Sequence, residues 1–132
     1  MLRLLLAAFV LAHGLIHVSF LTPAPAAAAG GPPWPFNLDR SWLLTRMGVS
    51  TAAAEGMGRA LVVVTVVGFA VAAAGLAVGA SWWGPAAVVA SVISLGQLTV
   101  WFHWWLPVGL LIDAGVIVAV LGRWPVLTRL GG

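Results

Sequence analysis

RALVVVTVVGFAVAAAGLAVG (residues 59–79) is a run of 21 residues with one charge, at its first position. At 1.5 Å per residue it makes a helix of about 31 Å, the thickness of a bilayer's hydrocarbon core. Around it the chain is equally apolar: 62% of the 132 residues are hydrophobic and 7% are charged. A soluble domain carries roughly 25% charged residues, so too little polar surface is left to wrap a water-soluble core. The chain therefore faces lipid, and its length fits a single transmembrane domain.

Working outward, hydropathy and punctuation mark four spans, at about residues 2–22, 59–79, 85–105 and 107–122. Pro85 and Pro107 suit the first helical position, where a missing N–H is no loss. ASWWG and HWWLP leave room only for tight antiparallel hairpins. The expected fold is all-α, an integral membrane up-and-down four-helix bundle. The long connection, residues 23–58, begins with an irregular Pro/Ala/Gly-rich half. Its second half, LDRSWLLTRMG, predicts a short interfacial helix near residues 39–47, with Asp39 as N-cap and Gly48 as stop. Trp42, Leu43 and Met47 would share one face, and Trp34, Phe36 and Trp42 would sit at headgroup level. A further helical start near Ser50 or Thr51 would run into the second span.

Residues 1–28 also look like a secretory signal, with cleavage near Ala28. The apolar run is longer than such a segment needs and carries two histidines, which argues for a retained span. Arg3, Arg123 and Arg129 flank one side and Arg40, Arg46 and Arg59 the other, an even count. The free amino terminus and signal-like start favour cytoplasmic termini in the inner (plasma) membrane. The net charge of +3 comes from six Arg, no Lys and three acids. No basic stripe accompanies it, so nucleic acid is not an expected partner. With no cysteine there is no disulfide or thiolate chemistry.

Polar residues within the spans are few: His13, His17, Thr65, Ser91, Ser94, Gln97, Thr99, His103 and Asp113. His13 and His17, in HGLIH, share a helix face. Measured from the loop side by helical rise, His103 lies about 3 Å deep, His17 about 8, Asp113 about 9, Gln97 about 12 and His13 about 14. All five fall in one half of the membrane. A carboxyl within GLLIDAGVIVAVL needs a partner or must be protonated, and His13 and His17 are nearest in depth.

Four readings fit this cluster. His13, His17 and Asp113 could ligate a divalent transition metal, with Gln97 or His103 in support. The glutamate of a zinc peptidase is missing, since positions 14–16 are Gly, Leu and Ile. Alternatively the group relays protons or ions, or one histidine binds haem or quinone. The fourth reading is interhelical hydrogen bonding that fixes packing. His103, in WFHWWLP, reads as interfacial. Gly68, Ala72, Gly75 and Gly79 form a small-residue face for close helix packing, within the bundle or in a homodimer. Trp82, Trp83, Trp101, Trp104, Trp105 and Trp124 read as an aromatic belt, and Glu55 as a first-turn acid. No phosphate loop or catalytic triad appears, so catalysis is not expected.

HGLIH, then WPFNLDRSWLL, then three close spans ending in an Asp-bearing helix, resembles small uncharacterised four-span membrane proteins of GC-rich actinobacteria. The resemblance covers most of the chain and implies a bacterial source, with no activity or site residue attached. The role expected from all this is an accessory or partner-binding membrane subunit. The alternative is an intramembrane His/Asp metal or proton-relay protein.

Overall fold

The computed structural model describes residues 1–23, 34–124 and 127. The Pro/Ala/Gly-rich stretch, with Ala28, and Arg129 lie outside the described residues. Of the described residues 76% are helical, and none lies in a strand. Helix α1 (Leu2–Ile16) tightens into a 3₁₀ segment, His17–Leu21. Then follow α2 (Trp42–Arg46), α3 (Thr51–Val78), α4 (Trp83–Val100) and α5 (Pro107–Leu121). Three helical stretches of 20, 28 and 18 residues are long and apolar enough to cross a membrane; α5 is a shorter apolar helix.

The boundaries follow local chemistry. Ser50 caps α3 by accepting from the Ala53 N–H at 3.3 Å. The second span is thus one helix from Thr51, eight residues longer at its start than hydropathy alone marks. It ends at Gly79, whose φ of +75° lets the Ala80 N–H turn back to the Gly75 carbonyl at 2.9 Å. Pro107 begins α5 as expected. Pro85 does not begin α4: Trp83 does, and the proline takes the third position, still inside the turn whose N–H groups lack partners. The last α1 turn is 3₁₀, which brings residues three apart onto one side, and His17 and Phe20 both turn inward.

The loop corrects three expectations. Ser41, not Asp39, caps α2, accepting from the Leu44 N–H at 3.1 Å. Leu44 is the buried residue of that helix, while Trp42 is half exposed and Met47 lies out. Third, α4 stops at Val100 rather than near residue 105. Its last carbonyls are taken by the loop: Trp42 Nε1–H donates to Thr99 O at 2.7 Å and Ser41 O–H to Val100 O at 2.8 Å. Trp101 leaves the helix, and its indole N–H donates to Leu38 O at 2.9 Å. Trp101 and Trp83 are therefore core residues. Trp82, Trp104, Trp105 and Trp124 remain exposed at the helix ends.

Helix α3 is the centre, packed on α1 and on α4, and α5 packs on α4. The small-residue face of α3 is consumed inside the chain. A Cβ on Gly68 would stand 3.0 Å from Ala90 Cβ, and one on Gly75 would stand 2.5 Å from the Trp82 ring. Leu2 and Trp124 border the same apolar cavity, so both ends of the helical array lie together. Two apolar clusters fill the interior, one around Phe69, Leu76 and Trp83, the other around Val62, Leu98 and Trp101. Along α1 and α4 the polar residues fall between them.

Candidate functional site

Helix α5 is apolar around its whole circumference, yet only one of its residues is buried: Asp113, with no exposed surface. An apolar helix has no face that prefers the interior, so the one polar group decides its rotation. The carboxylate finds two donors there. His13 Nε2 lies 2.9 Å from Asp113 Oδ1, and Ser94 Oγ lies 2.5 Å from Oδ2. Ser94 is in turn 2.8 Å from His17 Nε2. His17 Nδ1 faces the His13 carbonyl one turn back, at 3.3 Å. The result is an unbroken chain, His17–Ser94–Asp113–His13, across α1, α4 and α5.

Aromatic packing sets the rings. Phe69 of α3 meets His13 edge-on at 5.0 Å, and the two imidazoles stand nearly perpendicular at 5.6 Å. Gly14, between them in sequence, lets α1 come this close: a Cβ there would fall 2.5 Å from Phe69 Cβ. The histidines are 5% and 3% exposed, so water does not satisfy them.

The structure brings His13, His17 and Asp113 into one cluster but not around one point. Ser94 stands between His17 and the carboxylate, and both carboxylate oxygens already accept hydrogen bonds. Among the described residues no group of three or more His, Cys, Asp or Glu is arranged to hold a metal. As placed here, the three side chains make the hydrogen bonds just described. Gln97 is buried but turns toward Thr65, at 3.4 Å, and its Nε2 has no partner. His103 stays outside, accepting from the Trp105 N–H at 3.3 Å and lying against Trp104. Ser94 is the residue that sequence reasoning undervalued. Its signal was the Ser91, Ser94, Gln97 stripe at three-residue spacing.

Counting protons shows what the chain can do. The His13 carbonyl can only accept, so His17 Nδ1 carries hydrogen. Ser94 has one hydroxyl proton to donate. If it goes to Asp113, His17 Nε2 must also be protonated, giving imidazolium and carboxylate. If it goes to His17, Asp113 must donate to Ser94, and both ends are neutral. The two states hold the same number of protons and differ by two short proton shifts in one direction. Every donor and acceptor between His17 and Asp113 is satisfied in either state.

These features place the chain among all-helical proteins with membrane-length apolar helices, with a dry His/Ser/Asp chain at its centre. No protein-family model, curated protein or solved structure matches it.

Proposed function

We propose that the chain is an integral membrane protein of four up-and-down helices that exchanges protons within one half of the bilayer. The carrying observation is the unbroken His17–Ser94–Asp113–His13 chain, satisfiable in two proton arrangements. The interior beyond it, toward the termini, is filled by apolar side chains such as Val10, Phe69 and Leu76. Among the described residues only Ser91 adds a buried polar side chain there, too little for a through-channel. The fitting role is to load and unload a proton at depth, from the loop side, in contact with something in the membrane. An accessory role gains no residue of its own, because exposed apolar side chains occur on α1, α3, α4 and α5 alike, as lipid contact requires.

The relay predicts that the proton positions at His17 and Asp113 change together through Ser94. In bilayers, ¹⁵N signals of His17 and the ¹³C carboxyl signal of Asp113 should change together across a temperature series. Ser94→Ala should uncouple them. Independent changes in the wild type, or coupling that survives Ser94→Ala, would reject the relay.

The topology makes a separate expectation. Cysteines introduced one at a time as Leu2→Cys and Trp124→Cys should label from the same side, the cytoplasm, and Arg40→Cys from the other. Labelling of the first two from opposite sides refutes four crossings.

A further inference from the structure

Helices α1 and α5 are joined by the His13–Asp113 bond, and beside that bond the seam between them is hollow. A cavity of about 160 Å³ lies on the loop side of Ile112, bordered by His13, His17, Phe20 and Trp105. A second, of about 500 Å³, lies on the terminus side, bordered by Ile112, Val116 and Leu2. Ile112 borders both, so they follow one another along the seam. The rim residues Ile16 and Val108 are 55% and 66% exposed, which opens the small cavity sideways, where lipid would be.

The small cavity has the right size for one six-membered ring, since an engineered apolar cavity of about 150 Å³ stays dry and takes up benzene. It is too small for a haem. Its polar edge is equally restrictive. Both His17 nitrogens are engaged, to Ser94 and to the His13 carbonyl. His13 uses Nε2 on Asp113, and its Nδ1 takes no hydrogen bond from any described residue. With Nε2–H donating to the carboxylate, Nδ1 presents a lone pair and asks for a donor. Water needs two to four polar partners to settle in a cavity, and one nitrogen does not supply them. A hydroxyl carried on an apolar ring satisfies both wall and edge.

We propose that the α1–α5 seam binds a membrane-dissolved amphiphile whose aromatic ring carries a hydroxyl, a phenol or quinol class of lipid. The ring fills the small cavity, its hydroxyl donates to His13 Nδ1, and its apolar tail follows the seam past Ile112 into the larger one. Binding rests on the cavity and the free nitrogen. Only the onward passage of the hydroxyl proton rests on the relay proposed above.

The test uses the full chain in phosphatidylcholine nanodiscs, with 4-(trifluoromethyl)phenol as probe and ¹⁹F NMR as readout. Saturable binding at one site per chain is expected. (Trifluoromethyl)benzene, which lacks the hydroxyl, should bind roughly three- to tenfold more weakly, the worth of one neutral hydrogen bond. Val108→Phe, a change at an exposed rim position that the fold tolerates, should cover the mouth and weaken the phenol by roughly tenfold or more through overpacking. Non-saturable partitioning, equal binding of the two probes, or an unaffected Val108→Phe would each overturn the proposal. Saturable binding without His17–Asp113 coupling refutes the relay alone. Coupling without saturable binding refutes the ligand alone.

Discussion

Asp113→Ala is expected to unfold far more readily than the wild type, by about 3 kcal/mol or more, in a reversible denaturation assay in bicelles. An ordinary interhelical hydrogen bond in a membrane protein is worth only about 0.6 kcal/mol, because the unfolded helices find other partners. Asp113 is not ordinary. Removing it leaves the His13 Nε2 donor without an acceptor at a site 5% exposed, and leaves Ser94 Oγ, with no exposed surface, only His17 as a partner. Orphaned buried donors cost about 1–3 kcal/mol each. It also removes the only buried side chain of α5, the group that holds this helix in rotation. Asp113→Asn should behave differently. The amide oxygen can accept from His13, its nitrogen can donate to Ser94, and Ser94 can turn its proton to His17. Every group is then satisfied without charge, so the cost should stay below about 1 kcal/mol, while the proton chain is locked. If Asn and Ala destabilise equally, satisfaction of these donors is not what holds α5.

Gly14→Ala should be the most damaging single methyl in the protein. The added carbon would sit 2.5 Å from Phe69 Cβ and 3.2 Å from its Cγ. Phe69 Cβ is bonded directly to the α3 backbone, so no rotamer change relieves the contact and one helix must move. Overpacking of this kind costs about 1–3 kcal/mol, against a helix-propensity gain of about 0.5–1 kcal/mol for Gly to Ala. A net loss of about 1 kcal/mol is expected. The displacement should also pull His13 and His17 from their partners, visible as changed imidazole ¹⁵N shifts. Gly96→Ala is the matched control. Nothing lies within 4 Å of its new carbon, so the propensity term acts alone and the variant should gain stability. Gly14→Ala as stable as Gly96→Ala would show that α1 and α3 are not in this contact.

The apolar spans and the depth of the polar residues are legible in the amino-acid sequence alone. Hydropathy needs only composition along the chain, and helical rise turns residue number into depth. That is enough to put His13, His17 and Asp113 in the same half of the helices' length, and the structure links them by the His13–Asp113 bond and through Ser94. Properties that depend on how a helix is turned, or on where a loop returns, are not legible in this way. Ser41 rather than Asp39 caps α2, because the serine also reaches the Val100 carbonyl of a distant helix. Trp101 is a core residue, not a belt residue, because its indole meets Leu38 O across the loop. Gln97 shares the right depth but turns to Thr65, and His103 stays with Trp104 and Trp105.

Residue order thus dictates a helical chain whose helices are long and apolar enough to cross a membrane, with a scarce set of ionisable groups within them. These properties follow from the energy of each segment alone, since burying a backbone or a charge in hydrocarbon is costly whatever its neighbours are. Packing between helices decides that Ser94 stands between His17 and Asp113. It also decides that Gly58 and Gly75 of α3 face inward and that the α1–α5 seam stays hollow. Those outcomes depend on rotation and close approach, to which hydropathy is blind: α5 is apolar all round, and only contact with Ser94 and His13 fixes which way its carboxylate points.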